Sequence, residues 1–424
     1  MSIFKEIIHD ASRILMYVVG IITIYYLFIS LFGIWRRKDK REVEPRKRFA
    51  LIVAAHNEET VIRDIIGSLK NLDYPKKLYD IFVIADNCSD RTFIKAKEEG
   101  AIVYERNNKE KIGKGYALEW MFERIFKLHK KYDAVAIFDA DNLVHKNFLK
   151  EMNKKLCEGY KVVQGYLDSK NPNDTWITGS YSIAFWSCNR MFQLARSNVG
   201  LSSQLGGTGF CIDADVLKKL GWGANCLTED LEFTCKLVLN GYKVGWAHDA
   251  IIYDEKPLTL VQSWKQRKRW MQGFADVASR YFFKLLKRSI VKLNFTSFDC
   301  ALYSIQPIVT ILIGTSAIIG IIQYCIKVFD IVTNFNSFIY SINFNSITII
   351  VIVYSTVQYI YTPFILILEK KFSMKVFLCY IIYPIYTITW FPISVQGILD
   401  KNKKEWNHTV HTRSIDISDL EKVN

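Results

Sequence analysis

Apolar residues follow two different patterns along this chain. The first is the long unbroken run. Ile14 to Trp35 holds 22 residues without a charge, which as a helix is ~33 Å long, enough to cross a bilayer core of ~30 Å. A cleaved signal peptide has a shorter apolar core and a small-residue cleavage site; here Arg36, Arg37, Lys38, Lys40 and Arg41 follow instead. Ala301 to Ile326 and Ile347 to Leu368 are uncharged runs of the same kind. Val376 to Leu399 is a fourth, broken by Pro384 and Pro392. Each proline removes a backbone hydrogen bond and kinks or ends a helix, so this stretch reads either as a further span or as a segment lying at the membrane interface.

The second pattern is short apolar runs alternating with helical spacing. Phe49 to Ala55, Tyr79 to Ala85, Ala101 to Glu105 and Ala134 to Phe138 predict buried strands. Between them, 61–72, 90–99 and 116–130 have the spacing of amphipathic helices. Strands alternating with helices predict a mostly parallel sheet covered on both faces. Ligands of such sheets bind beyond the carboxyl ends of the strands. Glu58 follows the first strand, Asp86 the second, and Asp139 and Asp141 the fourth. One such acid is ordinarily a turn or cap residue; three strands ending in acid suit a divalent cation, Mg²⁺ or Mn²⁺, shared with a phosphate-bearing substrate.

Composition narrows the classes. Charge is 56 Lys and Arg against 42 Asp and Glu, a net +14, with half the residues apolar. Lys and Arg gather beside the apolar runs. Residues 36–48 contain eight, 327–346 one, 369–375 three and 400–424 five. The excess on the inner side places 36–296 and 369–375 in the cytoplasm and 327–346 outside. A cytoplasmic tail then requires Val376 to Leu399 not to cross. Basic clusters that flank membrane segments do not form a nucleic-acid face, so no nucleic acid is expected. Nine cysteines show no C-x-x-C spacing and read as buried thiols without zinc or a disulfide framework. Neither G-x-G-x-x-G nor a P-loop is present.

Three further clusters each have two readings. Lys114, between Gly113 and Gly115, is either a solvated loop lysine or a cation beside a phosphate. Thr228-Glu229-Asp230 is either a helix start with dipole-compensating acids or a catalytic turn. Gln266-Arg267-Lys268-Arg269-Trp270 is either a headgroup anchor or part of a site.

Together the sequences AHNEE at 55–59, DNCSD at 86–90, GKGYAL at 113–118, FDADN at 138–142, GGTGF at 206–210, TED at 228–230 and QRKRW at 266–270 resemble those of the processive family 2 glycosyltransferases, the synthases of cellulose, hyaluronan and poly-N-acetylglucosamine. The resemblance covers about 49–275. It implies an α/β, Rossmann-like GT-A domain inserted between transmembrane helices. The corresponding division is an N-terminal transmembrane helix over 1–35, the catalytic domain over 36–260, interfacial helices over 261–296, a membrane region over 297–399 and a tail over 400–424. It also implies an inverting hexosyltransferase of the plasma membrane, multi-pass, with its catalytic domain cytoplasmic, that uses a UDP-sugar, UDP-glucose by preference, with Mg²⁺ or Mn²⁺, and extrudes a growing polysaccharide through the lipid bilayer, with room for accessory secretion subunits. The alternative within the class is transfer of one sugar to a lipid-linked acceptor.

By the same likeness Glu58 and Asp86 contact the uridine, Lys114 and Asp139 hold the nucleotide, and Asp141 binds the metal. Asp230 is the general base, Gln266 and Arg269 touch the diphosphate or acceptor, and Trp270 stacks under the acceptor sugar. Trp406 and Thr409 resemble a gating loop. The shortened DNCSD leaves Asp90 without an assigned role.

Overall fold

The structure is a computed structural model and describes residues 2–36, 41–223, 226–333, 359–403, 413–415, 417, 419 and 420. Eight strands form one sheet: β1 (Phe49–Ala55), β2 (Tyr79–Asp86), β3 (Ile102–Arg106), β4 (Ala134–Asp139), β5 (Leu143–Val144), β6 (Val162–Ser169), β7 (Phe210–Asp213) and β8 (Val244–Asp254), in the order β3-β2-β1-β4-β7-β6-β8-β5. The first four pair in parallel. β7 runs antiparallel to both β4 and β6, β8 runs parallel to β6, and β5 is antiparallel to β8. Six strands therefore point the same way and only β5 and β7 are reversed. The expectation of a mostly parallel sheet holds, with two reversed strands in its second half, where the strand-helix alternation that signals a parallel crossover is interrupted.

Period-two side chains build two cores. Phe49, Leu51 and Val53 of β1 and Ala134, Ala136 and Phe138 of β4 pack on one face with the helices Ile62–Lys70 and Phe148–Cys157. Ala50, Ile52, Val135 and Ile137 face the other side, against Lys114–Lys127 and Glu229–Leu239. Because six strands run together, the ends of β1, β2, β4, β6 and β8 reach one rim. The reversed β7 starts there, so Gly206 to Gly209 lie on the same rim.

Beyond the sheet, Ser12–Leu31 and Gln306–Cys325 are each long and apolar enough to cross a membrane. Tyr359–Leu368 is apolar and helical, while the first half of the predicted 347–368 run lies outside the described residues. The proline-bearing stretch Met374–Leu399 also meets the length criterion, but it is two helices, Met374–Ile388 and Trp390–Leu399, that meet at Thr389. It packs on the sheet domain and its helices along its whole length. Val376 and Tyr380 join Tyr166, Trp186 and Trp246. Tyr386 packs on Tyr181 with centroids 5.5 Å apart. Thr389 Oγ1 accepts from Arg267 (2.8 Å), and a Cβ at Gly397 would sit 2.4 Å from Met271 Cβ.

Two buried ionic knots fasten the apolar helices to the sheet. Arg190 donates to the Gly33 and Ile34 carbonyls at the end of the first helix (2.8 and 2.9 Å) and to Glu369 (2.6 Å). His248 completes this knot. Its Nδ1 accepts from Trp246 (3.2 Å), leaving Nε2 to face Glu369 at 3.4 Å. In the second knot Arg196 grips Asp299 through two bonds of 2.8 and 2.9 Å, and Tyr25 of the first helix donates to Asp299 at 2.7 Å. All nine cysteines are free, but only Cys211, Cys235 and Cys300 are buried, so the expectation of buried thiols holds for those three alone. Apolar spacing could not distinguish a cysteine on a half-buried helix face from one inside.

Arg196 and Asp299 are each 1% exposed. Removing one member of a buried ion pair strands the other charge, at a cost of about 3–5 kcal/mol. Asp299→Asn is therefore expected to lower the thermal unfolding midpoint of the purified full chain in detergent. An unchanged midpoint would mean the pair adds nothing to the attachment of the first helix.

Candidate functional site

The β1–β2 end of the rim is shaped by strand-end turns. Asn57 and Asn87, directly after β1 and β2, adopt φ of +55° and +50°, a left-handed conformation that Asn tolerates better than most residues. Asn57 Oδ1 accepts from Ser89 N–H and Asn87 Oδ1 from Asn108 N–H, both at 2.8 Å. Glu58 is buried beside them, its N–H donating to Thr92 Oγ1 (2.8 Å). Asp86 pairs with Arg106 at the end of β3, both buried. Burial raises the Asp86 pKa, and the Arg106 guanidinium opposes the rise. Asp90 accepts from Glu59 and Thr92 N–H and from the Thr92 hydroxyl. It ties the turn and does not face the rim. Arg106 was not singled out from the sequence. A lone basic residue at a strand end carries no spacing signal.

At the centre, Lys114 opens the helix Lys114–Lys127 and donates to Asp139 and to the Gly207 carbonyl (2.7 Å). Burial disfavours its ammonium, but Asp139, Glu229 and Asp230 outweigh that and raise its pKa. The solvated-loop reading of Lys114 fails on this pairing. Thr208 Oγ1 donates to Asn142 Oδ1 (2.5 Å) and accepts from Asp139 N–H (3.1 Å), fixing the Asp139-Ala140-Asp141 turn. Gly209 has φ +62°, and a Cβ there would lie 1.6 Å from Ile252 Cδ1, so only glycine fits.

Asp141 is buried, with Oδ1 accepting from Asn142 Nδ2 (3.2 Å) and Oδ2 from Glu255 N–H (3.0 Å). The end of β8 thereby brings Asp254 close to Asp141. Burial raises the Asp254 pKa, Lys256 opposes it, and Asp141 and Asp139 add to it. These are hard oxygen donors, the ligand type Mg²⁺ and Mn²⁺ take. Among the described residues no three His, Cys, Asp or Glu side chains converge as a closed metal cage. An open carboxylate site of this kind fits an ion whose remaining ligands come from diphosphate and water.

Asp230 sits in the first turn of Glu229–Leu239, its Oδ1 accepting from Leu231 N–H (2.8 Å). Its Oδ2 lies 3.6 Å from where a Cβ of Gly207 would be. Burial raises its pKa, against the pull of the Leu231 N–H and Lys114; a carboxylate so raised is the better proton acceptor. Glu229 is pushed up to about 7 by burial and by the neighbouring Asp230, against Lys114 and Arg269. Thr228 makes no side-chain cap. Its side chain instead fills the space over Gly273, where a Cβ would come within 2.3 Å of Thr228 Oγ1.

That contact lays the long helix Leu260–Val291 across the TED turn. The helix divides its own motif. Arg267 is buried over the Tyr386 and Trp390 rings (4.2 and 5.0 Å), and Lys268 pairs with Asp400, so these two hold the helices Met374–Ile388 and Trp390–Leu399. Gln266 Oε1 accepts from Tyr181 (2.8 Å). Arg269 is close enough to Glu229 to favour its ionised form. Trp270 is half-buried against Tyr181 and Phe185, at 6.2 and 6.4 Å. Lys256 lies 3.4 Å from the Phe185 centroid while its ammonium pairs with Asp254, so the Trp270 side of the rim connects to the Asp141 side. Tyr303 completes the wall beside Phe192 and Phe274 (4.9 and 5.3 Å). Trp406 and Thr409 lie outside the described residues.

Two outcomes follow. Gly273→Ala must push the long helix off Thr228. It is expected to reduce turnover at least tenfold while UDP binding, measured by calorimetry, changes little, because Glu58 and Asp86 lie at the other end of the rim. Glu229→Gln should change stability with a defined sign. A carboxyl whose pKa rises from 4.5 to about 7 on folding stabilises below the lower value and loses that contribution as pH rises through the higher. The melting-point advantage of the glutamine variant should therefore grow between pH 4.5 and about 7 and level off above.

Comparison with known proteins supplies the family. The profile described as Glycosyltransferase like family 2 matches residues 45–273. A beta-monoglucosyldiacylglycerol synthase of Synechocystis sp. is 29% identical over 238 residues, 54% of this chain and 48% of that protein. A poly-beta-1,6-N-acetyl-D-glucosamine synthase of Staphylococcus aureus is 26% identical over 288 residues, 67% of this chain and 68% of the other. The chain spans about half to two thirds of the length of the curated relatives it matches. Among solved structures, a mannosyltransferase of Pyrobaculum calidifontis in complex with GDP-Man and Mn²⁺ shares the fold, with a TM-score of 0.60 and 15% identity over 94% of this chain and 99% of that one. With a profile match from just before β1 to Gly273 of the long helix, and a rim of strand-end acids in the arrangement just described, the chain belongs to glycosyltransferase-like family 2 and has the GT-A fold.

Proposed function

We propose that the chain is a membrane-embedded, metal-dependent inverting glycosyltransferase that extends a polysaccharide from a UDP-sugar, UDP-glucose by preference, and passes it through the bilayer. The observation that carries this reading is the joining of two half-sites by the Gly273–Thr228 contact. Lys114, Asp139, Asp141 and Asp230 lie on the rim, and Arg269 and Trp270 lie on the helix above it.

Glu58 and Asp86, the latter held by Arg106, form the uridine end. Lys114 and Asp139 border the diphosphate. Asp141, with Asp254 beside it, holds the cation, which when bound offsets the charge that develops on the leaving diphosphate. Asp230 accepts the proton of the acceptor hydroxyl as that oxygen attacks the anomeric carbon. Arg269 meets the leaving group with a fixed positive charge. Gln266 orients the acceptor, and Trp270 gives its ring a flat apolar face. A single displacement inverts the centre, so an α-linked donor yields a β-linked product.

The basic excess beside the apolar runs favours a cytoplasmic catalytic unit. The two helices of Met374–Leu399 follow the catalytic unit from Tyr166 to Met271, which supports an interfacial placement and not a further crossing. In that arrangement the tail stays with the catalytic side, the side on which Trp406 and Thr409 would close over a nucleotide. Accessory secretion subunits remain compatible with it. Transfer of one sugar to a lipid acceptor is the second reading, favoured by the likeness to the monoglucosyldiacylglycerol synthase. Consistent with it, Tyr361, a polar residue of the later apolar helices, donates to the Ser30 carbonyl (2.7 Å) and is used in helix packing.

Product size decides between them. The full chain in sealed vesicles, given a panel of UDP-sugars with Mg²⁺ or Mn²⁺, is expected to place polymer in the lumen, protected from added glycosidase. A single sugar on lipid would establish the second reading. EDTA is expected to stop the reaction, and Asp230→Asn to lower turnover ~10²–10⁴-fold with UDP binding retained. Near-normal turnover in that variant would remove Asp230 as the base.

A further inference from the structure

The long helix Leu260–Val291 meets the helix Phe295–Ser304 at a sharp corner. Asn294 N–H donates to the Ser289 carbonyl (2.9 Å) and Leu293 N–H to that of Ile290 (3.4 Å). This helix-ending turn holds Leu293 at φ +46°. Glycine is the usual occupant of such a position, because a side chain there crowds the backbone. Here it is a leucine, and it is 92% exposed. Strain kept at one residue and not relieved is a reason to look for a use.

Its surroundings supply one. Phe283, Ile290 and Val291 are also exposed, and their spacing puts them on one face of the long helix. Phe295 follows across the corner, more than half exposed. Single exposed apolar residues are ordinary; a contiguous group is not. Lys284, Lys287 and Lys292, all exposed, are interleaved with this group.

Depth is fixed by a separate contact. The Phe295 and Phe298 rings pack on Tyr25 of the first apolar helix, with centroids 6.0 and 6.1 Å away. Tyr25 precedes the end of that helix, Leu31, by about 9 Å along the axis. A span over Ser12–Leu31 therefore carries the corner below the headgroups, to the level of the first acyl carbons. The lysine stems are long enough to return their ammonium groups to the phosphates.

We propose that the corner from Phe283 to Phe295 is a wedge in the cytoplasmic leaflet and that its partner is an anionic bilayer. Leu293 and Phe295 enter the acyl region, and Lys284, Lys287 and Lys292 pair with lipid phosphates. The same helix carries Gln266, Arg269 and Trp270, so seating its far end sets the angle at which these residues meet the rim. Turnover should then rise with the anionic lipid content of the membrane, and the rise should shrink with salt, which screens exposed charges. The inference rests on the reading of Ser12–Leu31 as a membrane span.

The test uses the full chain in nanodiscs of phosphatidylcholine alone or mixed with phosphatidylglycerol. A p-benzoylphenylalanine replacing Leu293 is expected to photocross-link to lipid, as is one replacing Ile21 in the first apolar helix. Failure at Ile21 would overturn the span on which the wedge depends. Labelling at Ile21 with none at 293 would overturn the wedge alone. Replacing Lys284, Lys287 and Lys292 together by Gln should leave turnover in pure phosphatidylcholine unchanged and reduce the stimulation by phosphatidylglycerol at least threefold; undiminished stimulation refutes the lipid pairing. Leu293→Gly separates a lipid role from a structural one. It relieves the left-handed strain, so it should melt no lower than the parent in detergent while losing part of the same stimulation. A lower melting point with full stimulation would make Leu293 a packing residue.

Discussion

A helix can cross the TED turn at this distance only because it has no side chain at position 273. Thr228 occupies the space a Cβ would take, and the rest of the site depends on that approach. Residues 266, 269 and 270 lie one to two turns before Gly273, so the height of the helix over Thr228 sets where they meet the rim. The opposite face is committed elsewhere, through Arg267 over Tyr386 and Trp390 and Lys268 on Asp400. The helix thus links the sheet, the rim of acids and the two helices of Met374–Leu399.

Beneath it, charge is concentrated where water is scarce. Glu229, Asp230, Asp139, Asp141 and Asp254 share one rim, and their mutual repulsion is relieved by Lys114 in the centre, Arg269 above, and Lys256 and Lys170 on the β8 side. Burial raises the Asp230 and Glu229 pKa values, which suits proton acceptance at one of them and makes ionisation of both together costly. A cation and a diphosphate entering together would settle this imbalance, since each supplies charge that the rim or the other needs.

Much of this arrangement was legible in the chain. The strands β1 to β4 and their helices follow directly from period-two and period-3.6 spacing, and the strand-end acids mark the ligand side of a parallel sheet. Six co-directional strands do converge on one rim. The reversal at β7 left no trace in spacing, because a four-residue strand between turns looks the same in either direction. Asp254, Lys256 and Arg106 escaped notice for a related reason. Each lies at or just after a strand end without a spacing signal of its own, and what gives it a role is the strand it lies beside.

The ambiguous clusters divide in the same way. Local sequence offered two readings for Lys114, for Thr228 to Asp230 and for Gln266 to Trp270. Partners distant in the chain define their surroundings: Asp139 for Lys114, Gly273 for Thr228, and Tyr181, Tyr386 and Asp400 for the basic helix. Sequence by itself determined which segments are apolar enough for a bilayer, that β1 to β4 are strands with helices between them, and which residue types stand at the ends of β1, β2 and β4, because these depend on neighbours within a few positions. Only the tertiary structure decided that Met374–Leu399 follows the sheet domain, that Arg267 is buried over Tyr386 and Trp390 while Arg269 lies near Glu229, and that Phe295 and Phe298 pack on Tyr25. Each of those depends on contacts between residues far apart in the chain, and no periodicity encodes them.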